Sequence, residues 1–474
     1  MLEAGPNAAP PVSDRRRVAG SVAALAAGDL VNKAARFAAV VVLTHALPLD
    51  QYGLLNVGVA LGGIAVVLTR LGLPDLGARE AAIAPQDRDT LAGRIITPQA
   101  ASFGALTCAA CCVVLLIKPG AVPFVLLSAA STLGLILSAD WLLRGMERMV
   151  PLALATAAGG IVTLAGSLIV AAASNSALAG LAALAAGELI AAIWTVRSAQ
   201  LARIPRPSLR GARGLLRESW PLAVAGAVTY AYYANIDTVL LAATRSVEEA
   251  GLYSGPYRLF LALNTTGIFA AYAILPLAAR ALEARAPQQA QALILGLLPA
   301  LAGFGLLCLG VAEVLGGRLL EVVFGEPFGA MATTFVILCA AVPWYAVGYP
   351  VGYSAIASGH HRRLLTGAAV AAVLNLVLNA ALIPPLGPEG AGIATTVAMV
   401  AAALTWLHVQ QMLARVRPLV VLMSLSTLAA VGAALADDVR VEIGVLTLLA
   451  GTGLLAWGSA GGRRFLRARP PAAR

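Results

Sequence analysis

The sequence is short of charged and aromatic residues for its length. Only 12% of its 474 residues are charged and 5% are aromatic, whereas 59% are hydrophobic. Soluble domains carry about 25% charged residues, so the composition leaves no room for a soluble enzyme domain. Apolar runs of about 20 residues recur along the whole chain, and each is long enough to cross the hydrocarbon core as a helix. We expect an all-α, polytopic membrane protein that is not an enzyme.

Cysteine and histidine are also scarce and are not clustered. All five cysteines lie within apolar segments, which does not indicate a disulfide framework. Cys108 and Cys112 share a helix face, but no histidine or carboxylate accompanies them, so packing is favoured over a metal site. The four histidines are scattered singly or lie in a predicted loop. We therefore expect no catalytic residues, no metal site and no cofactor.

The net charge is +10, yet the basic residues lie between apolar runs. They show no aromatic interleaving and no nucleic-acid-binding motif. Anionic lipid headgroups are therefore the expected partner of these segments, and nucleic acid is not.

Apolar runs punctuated by proline, glycine and charge predict about fourteen transmembrane helices. Their predicted ranges are 18–43, 52–72, 95–117, 121–143, 150–173, 177–198, 216–242, 252–279, 290–314, 329–356, 364–384, 389–413, 418–436 and 441–459. Lysine and arginine concentrate in alternate connections, and the opposite connections hold only Lys118, Arg245, Arg318 and Arg440. Because positive charge marks the cytoplasmic side, both termini should be cytoplasmic and the helix number even. The expected location is the inner (plasma) membrane.

The longest interruption predicts the domain organisation. The stretch from Arg197 to Arg217 holds six arginines with Pro205 and Pro207, which is typical of a linker. Residues on either side recur at an offset of 198, namely Ser21 with Ser219, Gly28 with Gly226, Gly53 with Gly251 and Leu54 with Leu252. The repeat favours two six-helix lobes in a parallel pseudo-twofold arrangement, followed by a C-terminal helix pair.

The predicted divisions follow from this repeat. They are a disordered cytoplasmic N-terminus (1–17), an N-lobe with helices 1–6 (18–198), a cytoplasmic linker (199–215), a C-lobe with helices 7–12 (216–413), and helices 13–14 with a basic cytoplasmic tail (414–474). Repeat transporters place the substrate between their lobes near mid-membrane.

The first predicted helix carries a polar stripe. Asp29, Asn32, Lys33 and Arg36 are spaced i, i+3, i+4 and i+7, which places them on one helix face. Ionisable groups cost about 2.5 to 3.5 kcal/mol each at mid-bilayer, so the stripe should face a bundle interior or a water-filled cavity. Asp29 and Lys33 also suit a purely structural i, i+4 ion pair. Arg36 has no local partner by this reasoning, which favours a cavity.

The seventh and eighth predicted helices carry matching polar residues. Tyr230, Tyr233 and Asp237 share one face of helix seven, and mid-depth tyrosines favour a cavity over an interfacial aromatic belt. Asp237 is also suited to a structural ion pair. Arg258 in helix eight is suited equally to the cavity or to snorkelling toward the interface. Glu188 in helix six is expected to pack against a hydroxyl or a backbone group.

The most specific motif of the chain is the run Gly359-His360-His361-Arg362-Arg363, Leu374-Asn375-Leu376-Val377-Leu378-Asn379, Ile383-Pro384, Gly387 and Gly390-Ala391-Gly392-Ile393-Ala394-Thr395. Further motifs are Pro48–Leu54, Asp140–Met149, Ile236–Leu241, Glu248–Tyr253, Tyr257–Leu259 and Phe324–Phe328. Through these motifs the chain resembles the polysaccharide-transporter (Wzx-like) flippases of the multidrug/oligosaccharidyl-lipid/polysaccharide exporter superfamily over nearly its whole length. One departure is that Ile161 and Ala165 of the fifth helix are matched to Asn375 and Asn379 of the eleventh.

The resemblance implies a flippase that moves a polyprenyl-diphosphate-linked oligosaccharide from the inner to the outer leaflet by alternating access. Membrane lipids, a polysaccharide polymerase and glycosyltransferases are the implied candidate partners. The expected substrate-binding residues are Asn32, Lys33, Arg36, Tyr230, Tyr233 and Arg258, and the candidates for coupling to protons or sodium are Asp29 and Asp237. The alternatives are a peptidoglycan lipid-precursor flippase, a cation-coupled multidrug exporter of the same superfamily, and a non-transporting scaffold for polysaccharide assembly.

Overall fold

The computed structural model describes residues 12–70, 72–117, 119–201, 214–217, 219, 236–283, 286–357, 361–436 and 440–467, and every regular element in them is helical. The chain forms two compact units, Met1–Ala227 and Val228–Arg474, which are called the first and second unit below. The predicted divisions at 1–17, 199–215 and 414–474 stay predictions.

The first unit is built from eight described helices. They are α1 (Val12–Ala46), α2 (Leu49–Arg70), α3 (Leu73–Ile83), α4 (Arg88–Ile117), α5 (Val122–Leu137), α6 (Asp140–Gly145), α7 (Met149–Ala173) and α8 (Ala177–Ser198). Helix α1 packs along α7, α7 packs along α8, and α5 contacts both α2 and α8.

The second unit is built from nine described helices. They are α9 (Ile236–Thr244), α10 (Val247–Glu283), α11 (Pro287–Phe324), α12 (Ala332–Cys339), α13 (Val342–Ala357), α14 (His361–Leu386), α15 (Pro388–Val409), α16 (Arg417–Ala436) and α17 (Arg440–Arg467). Its most extensive helix pairs are α11 with α17, α14 with α15, and α10 with α13.

Eleven helical segments of the described residues are long and apolar enough to cross a membrane. Helices α1 and α10 are also long enough to cross a membrane, at 35 and 37 residues, and they hold the charged residues of the predicted first and eighth spans. The protein is therefore a multi-pass, all-α membrane protein. Most of the predicted seventh helix (216–242) lies outside the described residues, so the total of fourteen stays a prediction.

The connection between the predicted helices 52–72 and 95–117 contains a further helix that the sequence analysis did not predict. Residues 73–83 form α3, whose Leu73, Leu76 and Ala81 are buried. They pack with the fully buried Trp141 of α6 in one apolar cluster. Eleven residues are too few to cross a bilayer as a helix. Helix α3 is thus a short amphipathic element, and the charges on its other face hid it from a search for apolar runs.

The helix boundaries repeat between the two units. Helix α1 ends at Ala46 and α2 begins at Leu49; α9 ends at Thr244 and α10 begins at Val247. Both pairs of boundaries differ by 198 residues, the offset that also relates Gly53 to Gly251. The same helix-turn-helix break therefore occurs at the same place in each unit.

Helices α11 and α17 approach each other closely through glycine. A Cβ on Gly303 would lie 2.8 Å from the Gly451 carbonyl oxygen, and one on Gly310 would lie 2.9 Å from the Gly444 carbonyl oxygen. Real Cβ atoms do not approach backbone this closely, so these positions require glycine. Small residues that let backbones meet are the usual means of helix association in membranes.

Substitution of Gly451 tests this contact. We expect Gly451→Val to destabilise the protein by about 1 to 3 kcal/mol, the range typical of overpacking, and to lower its melting temperature in detergent. Gly453 lies on the same helix with no other atom within 4 Å of its added Cβ, so Gly453→Val is the matched control and should leave the melting temperature nearly unchanged. Equal effects of the two substitutions would contradict the close contact.

Candidate functional site

The first unit holds a cluster of five polar side chains, called the first-unit cluster: Asp29, Asn32, Lys33 and Arg36 of α1, and Glu188 of α8. Arg36 lies ten residues before the end of α1, and Glu188 lies eleven residues after the start of α8. At 1.5 Å per residue, both side chains are about 15 Å from a helix end. The centre of the cluster is therefore at mid-span.

Arg36 is held by two acceptors. Its Nη2 atom is 2.6 Å from Glu188 Oε1, and its Nε donates to Asn32 Oδ1 at 2.9 Å. The expectation that Arg36 has no local partner is wrong, because Asn32 lies one turn before it. The expectation that Glu188 packs against a hydroxyl or a backbone group is also wrong, because its partner is Arg36. The partner is 152 residues away in the chain, so local spacing could not reveal it.

The pair is only partly shielded by the packed helices. The Arg36 side chain is 32% exposed and that of Glu188 is 13% exposed. The guanidinium is thus the accessible member of the pair, and the carboxylate lies behind it. An Arg–carboxylate pair with remaining donors on the arginine is able to accept an additional anion.

Close packing fixes α1 at this position. A Cβ on Gly160 of α7 would lie 2.8 Å from both Asn32 Cα and Asn32 Oδ1, and a Cβ on Gly28 would lie 2.5 Å from the Ala153 carbonyl oxygen. Two glycines, one on each helix, therefore bring α1 and α7 into backbone contact. This contact orients Asn32 so that its amide oxygen meets Arg36.

Asp29 and Lys33 form the i, i+4 pair that the sequence predicted. The Lys33 Nζ is 2.8 Å from Asp29 Oδ2, and the two side chains are 55% and 49% exposed. This pair is much more open than the Arg36–Glu188 pair. Whether Lys33 also meets a substrate stays a prediction.

The second unit holds a different polar cluster, called the second-unit cluster: Asp237 of α9, Tyr253 of α10, Asn375 and Asn379 of α14, and Thr395 of α15. All five side chains are buried. The Tyr253 hydroxyl donates to Asp237 Oδ2, and the backbone N–H of Thr238 donates to Asp237 Oδ1 at 2.9 Å. Asp237 is therefore anchored by hydrogen bonds, and no cation lies within ion-pair distance of it among the described residues.

A chain of hydrogen bonds links α14 to α15 beside Tyr253. The Thr395 side chain lies near the Tyr253 hydroxyl. Asn375 donates to Thr395 Oγ1 at 3.4 Å, and Asn379 donates to Asn375 Oδ1 at 3.0 Å. The Oδ1 atom of Asn379 has no hydrogen-bond partner among the described residues, although Asn379 is only 1% exposed. The cluster thus contains a buried carboxylate, hydroxyl oxygens and a free amide oxygen, and oxygen ligands of this kind suit hard cations.

The equivalent helix of the first unit lacks this cluster. The match of Ile161 and Ala165 in α7 to Asn375 and Asn379 in α14 stays a prediction. The fully buried hydroxyl side chains of α7 are Thr163 and Ser167. Thr163 and Ser167 donate to the carbonyl oxygens four residues before them on their own helix. These two hydroxyls of the first unit are therefore hydrogen-bonded within their own helix. The two asparagine amides of the second unit are instead hydrogen-bonded to each other.

Three predicted site residues are not among the side chains that define the two clusters: Arg258, Tyr230 and Tyr233. Helix α10 begins at Val247 and not at the predicted residue 252, so Arg258 lies about one turn deeper than expected, and its side chain is half-buried. Tyr230 and Tyr233 lie outside the described residues. The structure thus brings the α1 residues together with Glu188, and separately brings Asp237 together with Tyr253.

Sequence reasoning missed Glu188, Tyr253 and Thr395 as cluster members. The i, i+4 spacing of Asn375 and Asn379 was visible, but it carried no assigned role. A single acid or tyrosine in an apolar helix gives no indication of which helix it faces, because that depends on contacts between distant segments. Only the mid-span position of Glu188, at the depth of Arg36, was a usable signal.

The chain is similar to one family of known proteins. A family model described as "Polysaccharide biosynthesis protein" matches residues 18–282, more than half of the chain. A search of curated protein sequences gives no match.

Solved structures resemble the fold over most of the chain. The lipid II flippase MurJ, in an inward closed conformation, has a TM-score of 0.67 with 13% identity, covering 94% of this chain and 99% of MurJ. An inward-facing multidrug resistance MATE transporter of the MOP superfamily has a TM-score of 0.62 with 13% identity, covering 84% of this chain and 98% of the transporter. A MOP superfamily transporter from Pyrococcus furiosus, described as having a binding pocket of reversed polarity, has a TM-score of 0.51 with 13% identity and coverages of 84% and 95%.

These comparisons confirm the resemblance to the polysaccharide transporters of the superfamily and show its fold. The fold is shared with a solved lipid flippase and with a solved multidrug transporter.

The bond between Tyr253 and Asp237 can be tested by a double-mutant cycle. We expect Tyr253→Phe to destabilise the protein by about 1 to 3 kcal/mol, because it removes a donor from a buried carboxylate. In an Asp237→Asn background the same substitution should cost clearly less, since the neutral amide needs that donor less. Thermal unfolding of the four proteins gives the coupling energy, and additive effects would contradict a direct bond.

Proposed function

Because the chain belongs to the polysaccharide biosynthesis protein family, we propose that it is a flippase for a polyprenyl-diphosphate-linked oligosaccharide. It moves this lipid from the inner to the outer leaflet of the cell's inner (plasma) membrane during assembly of a surface polysaccharide. The protein has fourteen transmembrane helices, and both of its termini lie in the cytoplasm. Translocation occurs by alternating access. The observation that carries the proposal is the partly exposed guanidinium of Arg36 at mid-span.

The cations of the protein bind the diphosphate. Arg36 is the main contact, because its side chain is one-third exposed at mid-span and retains donors beyond those given to Asn32 and Glu188. Lys33 of the first unit and Arg258 of the second add positive charge. Arginine suits this role since its planar fork of N–H donors matches phosphate oxygens.

The sugars of the substrate are bound by polar and aromatic side chains. Asn32 offers an amide on the same helix face as Arg36, and Tyr230 and Tyr233 offer hydroxyls and rings for stacking. These assignments depend on the shared helix face in the sequence, since both tyrosines lie outside the described residues.

An apolar groove of the second unit suits the polyprenyl tail. It has a volume of about 300 Å³ and is lined by α13, α15 and α16, including Trp344, Ile393, Val397 and Leu428. Leu428 is 70% exposed, so the groove is accessible from the membrane. A hydrocarbon chain gains favourable contacts with such walls and requires no polar partner.

The matching helix breaks support a parallel repeat of two lobes. The turns at Ala46–Leu49 and Thr244–Val247 have the same offset of 198 residues. Two six-helix lobes with a pseudo-twofold axis, followed by helices 13 and 14, account for this offset. Alternating access then uses the lobes as the moving bodies.

Coupling to a cation uses the second-unit cluster. Asp237 has a buried carboxylate, and Asn379 has a buried amide oxygen without a hydrogen-bond partner. These oxygens suit either a proton on Asp237 or a sodium ion. Asp29 is the weaker candidate, because it is ion-paired with Lys33 and half-exposed.

One observation favours a second candidate substrate. The fold similarity to the lipid II flippase extends over 94% of this chain, so the peptidoglycan lipid precursor is the alternative cargo. A drug exporter of the same superfamily is less well supported, since an accessible guanidinium repels cationic drugs. A scaffold without transport activity would show no lipid turnover.

Deletion of the gene, followed by mass spectrometry of the lipid extract, tests the choice of substrate. We expect a polyprenyl-diphosphate oligosaccharide to accumulate at least several-fold and to fall again when the gene is restored. Accumulation of the peptidoglycan precursor would favour the second candidate. An unchanged lipid profile, together with loss of cationic-dye efflux, would overturn the proposal in favour of an exporter.

The role of Arg36 in transport can be separated from its role in folding. Arg36→Gln together with Glu188→Gln removes both charges, so no buried charge is left unpaired. We expect this double variant to fold but to lose at least 90% of lipid translocation in proteoliposomes. Arg318→Ala is the control, because this arginine is 79% exposed and pairs with Glu321 on its own helix. Translocation at the wild-type rate by the double variant would contradict the assignment.

Cation coupling predicts ligand-dependent stability. If sodium binds the second-unit cluster, replacing potassium by sodium should raise the melting temperature, with a gain of about 2.7 kcal/mol at a hundredfold excess over Kd. Asp237→Asn should abolish the shift, whereas Asp29→Asn, the matched carboxylate of the first unit, should preserve it. The alternative outcome is a wild-type melting temperature that does not change with sodium. If Asp237→Asn then abolishes substrate exchange that is driven by a pH gradient, the proton is the coupling ion.

A further inference from the structure

The guanidinium of Arg36 is already occupied on the edge best suited to an anion. Its Nη2 atom meets Glu188 at 2.6 Å, and its Nε meets Asn32 at 2.9 Å. The Nε and one Nη atom of an arginine form the fork that binds carboxylate or phosphate with two parallel hydrogen bonds. A substrate phosphate can first contact the remaining Nη donors, but to take this edge it must displace a resident group, of which Glu188 is the charged one.

The first-unit cluster also has no net charge. Asp29 and Glu188 contribute two negative charges, and Lys33 and Arg36 contribute two positive charges. A diphosphate brings at least two further negative charges into a region of low dielectric constant. Binding is favourable only if it replaces an existing anion–cation contact by a stronger one.

Glu188 cannot easily follow Arg36 when the arginine turns toward a ligand. A Cβ on Gly134 of α5 would lie 2.7 Å from the Glu188 Cβ, so the two helices are in close contact at this residue. The Glu188 side chain is also more buried than that of Arg36. The carboxylate is thus a fixed anion, and the arginine is the part that moves between it and a ligand.

We propose that Glu188 is a selectivity residue, which competes for Arg36 and admits only anions of higher charge than its own. This inference rests on the proposed function and assigns to Glu188 the discrimination between diphosphate lipids and other anionic lipids. A phosphodiester headgroup carries one negative charge, so it exchanges one monoanion for another and gains little. A diphosphate offers more charge and more acceptor oxygens, and it displaces the carboxylate.

The need for such a residue follows from the surroundings of the protein. Anionic phospholipids are abundant in the cytoplasmic leaflet, and an arginine without a counter-ion would bind their headgroups. A fixed carboxylate in the site lowers the affinity for every anion, but it lowers the affinity for monoanions to the point where they do not compete. The cost is weaker binding of the true substrate, and the benefit is that the site stays free of ordinary lipids.

The test compares a diphosphate with a phosphodiester that carries one negative charge. The full-length protein is placed in phosphatidylcholine nanodiscs, and binding of farnesyl diphosphate and of the diester methyl farnesyl phosphate, called the monophosphate below, is measured. We expect the wild type to prefer the diphosphate by at least about tenfold, a ratio consistent with one additional charged hydrogen bond. In Glu188→Gln the monophosphate should bind at least about tenfold more tightly, so that the preference collapses. Glu188→Asp, which retains the charge, should keep most of the preference.

The outcomes separate this inference from the proposed function. If the wild type binds neither probe, the proposed function is overturned. If the wild type prefers the diphosphate and Glu188→Gln keeps that preference unchanged, only the role of Glu188 is overturned. Arg36→Gln with Glu188→Gln should bind neither probe, which shows that the gain in the single variant acts through Arg36.

A second measurement needs no variant and so does not depend on how well Glu188→Gln folds. Phosphatidylglycerol replaces half of the phosphatidylcholine in the nanodiscs of the wild-type protein. We expect the affinity for farnesyl diphosphate to change by less than about twofold, because the resident carboxylate already excludes a monoanionic headgroup. A loss of tenfold or more would show that ordinary anionic lipid reaches Arg36, and it would overturn the inference.

Discussion

Charge neutralisation within hydrocarbon is the constraint on which the structure depends. An ionised side chain in the bilayer must find a partner inside the protein or a water-filled cavity, since lipid provides none. The ion pair between Arg36 and Glu188 meets this requirement by joining α1 to α8 at mid-span. The close contacts of α1 with α7 and of α5 with α8 are the backbone arrangement that lets the pair form. The packing of the first unit is thus adapted to two charges.

The two units satisfy the same constraint by different chemistry. The first unit uses opposite charges, and half of its cluster remains exposed. The second unit buries one carboxylate, Asp237, and surrounds it with hydroxyl and amide groups from three further helices. The helix boundaries recur at one offset, whereas the polar residues do not. The two units therefore share helix boundaries but carry different polar clusters, one made of ion pairs and one made of a carboxylate with hydroxyl and amide groups.

Much of the fold was predictable because apolar run length is set by bilayer thickness. The Asp29–Lys33 pair was predictable as well, since both residues lie one turn apart on one helix. The Arg36–Glu188 pair was not predictable, because its members are 152 residues apart and their meeting depends on how α1, α7 and α8 pack. Helix α3 was missed for another reason. Its apolar face is short and its charges are those of a loop, so only burial against Trp141 shows its role.

The glycine contact between α11 and α17 has a further consequence. Gly303 and Gly310 are seven residues apart, as are Gly444 and Gly451, so the two helices remain in backbone contact over two turns at least. Helices locked at two successive levels cannot swing about a single pivot. The C-terminal helix therefore moves together with α11, and a fluorophore or spin label attached to α17 would report the displacement of the second unit without any substitution near the polar clusters.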